Sequence, residues 1–183
     1  MKVIKTHISG PLIIESQVFT DKRGYFFEEY NFRKYKEIGI SESFVQDNAS
    51  MSVKNVIRGL HIQLEPMAQG KLAMVVKGKV LDVAVDCRLE SLTYGQYVSV
   101  ILSEENKKQF WIPRGFAHGF SVLSEEAIFS YKCDNYYSKD YEFAIVYNDL
   151  DLRIDWQVEA PLVSEKDSKG LMFSDLKDVL LKF

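Results

Sequence analysis

IRGLHIQLEPMAQGKL, residues 57–72, reads as an apolar strand, a proline-containing turn and the start of a second apolar strand. Arg58, His61, Gln63 and Lys71 interrupt that pattern. Lone polar groups in a buried strand cost free energy unless something satisfies them. Side chains alternate along a strand, so His61 and Gln63 share a face, and Lys71 can join them from the next strand. Arg58 has the opposite parity. Either a bulge near Gly59 re-aims it, or it serves a different part of the site. Taken singly, His61 reads as a satisfied core histidine. Arg58 and Lys71 read as charges that protect sheet edges.

The same texture continues on both sides. LAMVVKG, KVLDVAVDCR, YVSVILS, QFWIP, HGFSVL and AIFSYKC are short runs rich in Val, Ile, Phe or Tyr. Gly, Pro, Ser or charged residues bound them, which marks strands. KGK at 77–79 is expected to be a hairpin turn with Gly78 at positive φ. PLIIESQVF and GYFFEEY are expected to be two more strands around the turn TDKRG. This succession points to an all-β sandwich or barrel of antiparallel sheets. Helix is sparse. NFRKYKEIG fits a short helix stopped at Gly39. SDLKDVLLKF fits a C-terminal helix with Ser174 as N-cap and Leu176, Val179 and Leu180 on one face.

With 183 residues, no internal repeat and no linker, one domain over 1–183 is expected. A net charge of −3 with scattered basic residues argues against nucleic acid and membrane surfaces as partners. No apolar run approaches a membrane-spanning length. Two cysteines, Cys87 and Cys133, without CxxC spacing fit a reduced, cytoplasmic setting and two inert buried thiols.

There are three histidines, His7, His61 and His118. A metal-binding jelly roll usually begins from an HxH pair, and here the strand reads His61-Ile62-Gln63. No metal is expected from that ligand set. His61 is better suited to proton transfer, because imidazole titrates near neutrality. In IPRGFAHGF, residues 112–120, His118 follows a Pro/Gly turn whose backbone can approach an anionic ligand. Tyr131 shares a strand face with Ala127, Phe129 and Cys133. It is a core tyrosine tethered at the rim or a general acid in a dry site. Gln46-Asp47-Asn48 reads as a turn, or as donors and acceptors for a heterocyclic base. Arg23 and Glu28 flank Gly24, and arginine's planar fork suits phosphate. SEKD, residues 164–167, reads as a helix start.

DxRGxFxE, FVQDNxSxS, RGLHxQ, QGKL, GxVxDVAVDxR, IPxGFAHGF, YKC and SxKD occur in this order from Asp21 to Asp167. Together they resemble the dTDP-4-dehydrorhamnose 3,5-epimerase family. The resemblance implies a cupin jelly-roll sandwich with a few short peripheral helices, usually a homodimer. It implies no metal and no organic cofactor, and a dTDP-linked 4-keto-6-deoxyhexose as substrate. In that scheme the 4-keto group acidifies the C3 and C5 protons, and each centre is inverted through an enolate. The implied roles are His61 as base, Asp167 as its partner, Lys71 at the enolate oxygen with His118 nearby, and Tyr131 as the opposite-face acid. Arg23 and Arg58 are implied to hold the diphosphate and nearby groups. Glu28, Gln46, Asp47, Asn48, His118, Glu142 and Lys166 are implied to make further nucleotide and sugar contacts. Relatives tend to carry a glycine-rich stretch after the acidic residue, where this chain has Glu142-Phe143-Ala144. Arg114 is given no role. The alternatives are an epimerase acting at C3 or C5 alone on a related nucleotide-linked 4-keto-6-deoxysugar, and a 3,4-ketoisomerase, which would carry a different histidine arrangement. A silent binding module would lack His61, Asp167 or Tyr131.

Overall fold

The computed structural model describes residues 1–181. Fourteen strands run in chain order: β1 (Lys2–Lys5), β2 (Leu12–Glu15), β3 (Val18–Asp21), β4 (Gly24–Phe27), β5 (Gln46–Val53), β6 (Val56–Gln63), β7 (Lys71–Lys77), β8 (Lys79–Asp86), β9 (Tyr97–Ser103), β10 (Lys108–Ile112), β11 (Phe116–Val122), β12 (Glu126–Cys133), β13 (Glu142–Ala144) and β14 (Leu162–Val163). Three short helices join them: α1 (Phe32–Glu37), α2 (Glu165–Ser168) and α3 (Phe173–Leu180). One sheet has the order β1-β2-β10-β7-β12-β5 and the other β13-β6-β11-β8-β9, with β14 alongside β6. All pairings between these strands are antiparallel except β14 with β6. This is the expected jelly-roll sandwich.

The alternation of side chains explains the layers. One face of each sheet contributes Val75, Phe110, Phe129, Val80, Phe120 and Val122 to the core between them, with Phe129 stacked on Phe120 at 4.2 Å. Truncating a fully buried phenylalanine such as Phe129 to alanine would remove about 3–5 kcal/mol. The outer face of the second sheet buries Ile62, Leu81, Val83 and Val85 under Leu152, Trp156, Phe173 and Leu176 of the late chain. Leu72 and Trp111, on the outer face of the first sheet, are covered by Tyr35 and Ile40. Tyr35 lies on α1, whose Asn31 N-cap accepts from Arg33 N at 3.1 Å and Lys34 N at 3.4 Å. Among the described residues no helix is long and apolar enough to cross a membrane.

Four local expectations change. Gly78 has φ +79° as expected, but KGK is not a hairpin: β7 and β8 pass into different sheets. A Cβ there would lie 2.1 Å from the Glu126 carbonyl oxygen, so the corner is too tight for a side chain. PLIIESQVF splits into β2 and β3, and only β3 pairs with β4, as a separate exposed hairpin. The Gln46-Asp47-Asn48 trio is no turn. It begins the eight-residue strand β5, because each residue finds a ladder partner on β12. The last helix is capped by Met172 rather than Ser174, with no side-chain cap bond. The backbone N–H of Phe173 is taken instead by Asp149 Oδ2 at 2.7 Å. Leu176, Val179 and Leu180 do face the core, while Lys182 and Phe183 of SDLKDVLLKF lie outside the described residues.

Candidate active site

The inter-sheet faces are apolar at one end and polar at the other. On β7, Lys71 stands on the same face as core Ala73 and Val75, opposite Cys133 of β12. On β12, Tyr131 follows core Ala127 and Phe129 on the same face. On β11, His118 precedes core Phe120 and Val122. His118 is opposite His61 in the ladder, so both imidazoles face inward.

The parity conflict at Arg58 is resolved by a bulge. His118 pairs with His61 and Phe120 with Arg58, so β6 carries one residue more than β11 between those pairs. Gly59 supplies it at φ +110°. A Cβ on Gly59 would sit 2.6 Å from Gly119 Cα and 2.6 Å from the His118 carbonyl oxygen. Arg58 therefore turns to the inner side, where its Nε donates to Ser52 Oγ at 2.9 Å.

His61 Nε2 lies 2.6 Å from Asp167 Oδ1, and its side chain keeps 28% of its exposure. Asp167 comes from far along the chain, on α2. The Ser164 hydroxyl caps that helix by accepting from Asp167 N at 3.0 Å. The other carboxylate oxygen accepts from Gly59 N at 3.1 Å. Burial alone would raise the Asp167 carboxyl. The hydrogen bond and charge of His61, with Gly59 and Ser164, hold it below its ordinary value. An ionised carboxylate can only accept, so it keeps the proton on Nε2 and leaves Nδ1 of His61 as the basic nitrogen.

Lys71 makes no hydrogen bond to another described residue. Its ammonium sits 5.9 Å from the Tyr131 ring centroid. Burial pulls its pKa down, against the opposing pull of Cys133, Glu142 and Asp82. Burial also pushes the Tyr131 phenol up to about 12, with Cys133 and Glu142 adding to it and Arg58 opposing. A phenol so placed carries its proton at neutral pH.

The edge strand β13 pairs Glu142 with Gln63 and Ala144 with His61, which puts Glu142 on the His61 face. Glu142 accepts from Lys166 Nζ and, at 2.9 Å, from the Tyr137 hydroxyl. Burial would raise Glu142; those two bonds and the His61 charge hold it low. Gln63 is fully occupied. Its amide donates to Met67 O at 3.0 Å and accepts from Ser138 N at 2.6 Å, which fixes the loop that carries Tyr137. Across β12, Asn48 is opposite Tyr131 and Gln46 opposite Cys133, so both face inward. Asp47 faces outward and pairs with Lys132 at 3.0 Å.

Arg23 and Glu28 lie apart from this cluster. Arg23 is at the tip of the β3–β4 hairpin, 83% exposed and paired with Asp21 at 2.6 Å. Glu28 pairs with Lys34 at 2.5 Å and accepts from Asn31. Sequence reasoning passed over Tyr137, Ser52 and Asp82. Asp82 is completely buried, and its Oδ1 lies 2.6 Å from His118 Nε2. A lone aspartate in the apolar run KVLDVAVD carried the same signal that singled out Arg58 and Lys71. Among the described residues no group of three or more His, Cys, Asp and Glu side chains is arranged to hold a metal ion.

Residues 5–175 match the model of the family described as dTDP-4-dehydrorhamnose 3,5-epimerase. The chain is 54% identical over 176 residues to the dTDP-4-dehydrorhamnose 3,5-epimerase of Shigella flexneri, covering 96% of this chain and 97% of that one. It is similar in structure to a dTDP-6-deoxy-D-glucose-3,5-epimerase from Legionella pneumophila solved in complex with dTDP-4-keto-L-rhamnose. That match has a TM-score of 0.94 and 50% identity, covering 98% of this chain and 96% of the other. A 3'-monoepimerase from Streptomyces bikiniensis, in complex with dTDP-quinovose, superposes with a TM-score of 0.90 at 26% identity, covering 96% of this chain and 90% of that one.

Proposed function

The chain belongs to the dTDP-4-dehydrorhamnose 3,5-epimerase family, and on that premise we propose how its residues divide the reaction. The protein is an isomerase that converts dTDP-4-dehydro-6-deoxy-D-glucose to dTDP-4-dehydro-L-rhamnose by inverting C3 and C5. Nδ1 of His61 takes the proton next to the 4-keto group, and the electron pair moves onto the carbonyl oxygen as an enolate. Asp167 steadies the imidazolium that forms. Lys71 donates to the enolate oxygen, an interaction that by analogy with oxyanion holes contributes about 3–4 kcal/mol to the transition state. Tyr131 returns a proton to the opposite face of the same carbon. The imidazolium proton then returns to the phenolate through solvent before the second centre reacts.

The observation that carries this reading is the 2.6 Å His61–Asp167 contact on the inner face of one sheet, with Lys71 and Tyr131 on the inner face of the other rather than beside His61 on a neighbouring strand. Arg58, His118, Gln46, Asn48, Glu142 and Lys166 supply the polar lining for sugar and nucleotide, and Asp47 acts from the rim. The keto group is already present in the substrate, so the inversion needs no change of redox state.

Arg23 and Glu28 act on a neighbouring copy. Phe19, Tyr25 and Phe26 of their hairpin are 56%, 59% and 68% exposed, an apolar arm that a homodimer would cover. The acidic, thiol-reduced chain suits a cytoplasmic sugar-nucleotide pathway.

The test is turnover in heavy water. Deuterium at both C3 and C5 of the product is expected. Label at a single carbon would establish a monoepimerase instead. Mixing His61→Asn and Arg23→Ala subunits tests the arm: recovered activity is expected if the arm crosses over, and none if it does not.

A further inference from the structure

A second carboxylate–imidazole pair lies beside the first, and the reaction as described gives His118 only a place in the lining and Asp82 no task. His118 and Asp82 stand on the neighbouring strands β11 and β8, and His118 is in register with His61. The pair is almost wholly enclosed: the His118 side chain is 6% exposed and the Asp82 side chain 0%. Asp82 Oδ1 meets His118 Nε2 at 2.6 Å, while Asp82 Oδ2 is buried with no hydrogen-bond partner. The remaining ring nitrogen of His118 has no protein partner among the described residues. A buried carboxylate oxygen left unpaired is costly, so something must compensate it. The nearby unbonded cation is the Lys71 ammonium, on which Asp82 acts electrostatically.

We infer that Asp82 is a positioning residue that fixes His118 as a hydrogen-bond acceptor for a sugar hydroxyl and serves as the counter-charge of Lys71. The inference rests on the epimerase reading and assigns two neighbouring cationic candidates opposite duties. A carboxylate can only accept, so Nε2 of His118 carries the proton and Nδ1 offers a lone pair. A neutral ring in this tautomer cannot donate to an enolate. Burial works in the same direction, keeping His118 below its ordinary pKa despite the pull of Asp82. Of the two, Lys71 then supplies the positive charge facing the enolate, and Asp82 opposes the downward pull of burial on its pKa.

Long-range proton–nitrogen spectra of the substrate-free, nitrogen-15-labelled protein test the tautomer directly. The chain has only His7, His61 and His118, so His7→Gln and His61→Asn variants assign the signals. At neutral pH, His118 is expected to show a protonated Nε2 and a bare Nδ1. A ring protonated at Nδ1, or a doubly protonated ring, overturns the inference. This measurement does not involve turnover, so it stands apart from the heavy-water experiment that tests the epimerase reading. Kinetics supply the second arm. Asp82→Asn is expected to lower kcat roughly 100-fold, with KM changed less than about threefold, by analogy with other buried partners of active-site histidines. Asp82→Glu should restore part of the loss. Unchanged kcat, or a change in KM alone, would show that Asp82 only packs. If Asp82→Asn does not fold, the wild-type tautomer decides.

Discussion

The two histidine–aspartate pairs share one contact distance and differ in nearly everything else. Each joins Nε2 to Oδ1 at 2.6 Å. His61 keeps 28% of its side-chain exposure, and Asp167 has a partner at each oxygen. His118 is sealed in, and Asp82 holds one oxygen unpaired. A base must gain a proton and lose it again. It therefore needs access to substrate and solvent, and a carboxylate already stabilised in its charged form. A sealed pair is suited to holding one proton in one place. The distance alone would have assigned both pairs the same chemistry; the surroundings separate them.

Substitutions can break this contrast, and the largest effect is expected at the base. His61→Asn should abolish deuterium uptake at both carbons and lower kcat by roughly 10⁴-fold, the upper range for general acid–base catalysis. Binding of dTDP, measured by calorimetry, should change little. Asp167→Asn should cost roughly 10³-fold in kcat, because an amide can hold the wrong tautomer of His61. If it instead resembled the effect expected at Asp82, the two pairs would be equivalent and the comparison would fail. Tyr131→Phe separates the faces of the sugar: deuterium wash-in at the substrate carbon should continue while product inversion slows by roughly 100-fold. Ser164→Ala removes the cap that aims Asp167. It should lower stability by about 1 kcal/mol in urea melts and reduce kcat only a few-fold.

A last test sharpens the view that a buried carboxylate is tuned by its partners. Asp86, away from the site, accepts from Arg88, Ser91 and Thr93. Burial would raise it, yet those bonds bring it down to about 2, from an ordinary 3.8. Its folded value is depressed, so its stabilisation is present above about pH 4 and is lost as pH falls towards 2. The shift corresponds to an upper bound of about 2 kcal/mol. Asp86→Asn should flatten that part of the acid-stability curve.

Much of this was legible in the residues themselves. Alternating apolar runs located β6 to β12, because a strand with one buried face must repeat every two residues. The polar interruptions located Arg58, His61 and Lys71, since buried polar groups need partners. The order of the motifs brought in Asp167, which no local pattern would have linked to His61 across more than a hundred residues. Other features were hidden. KGK looks like a hairpin turn because local chemistry cannot report that its two strands enter different sheets. Gln46-Asp47-Asn48 has turn composition, and only pairing with β12 makes it a strand. Gln63, without a task in the sequence, secures the loop that brings Tyr137 to Glu142.

The sequence by itself determined the central strands β6 to β12, the short helix after Asn31 and the inventory of groups able to move a proton. These follow from side-chain periodicity, capping and acid–base character, which are properties of neighbouring residues. Only the tertiary structure brought Asp82 to His118, and decided how far water reaches each pair. Those depend on the bulge at Gly59, on the ladder between β6 and β11 and on the return of α2 against β6. Such contacts are made between distant segments, and their electrostatics depend on burial that no short stretch of sequence contains.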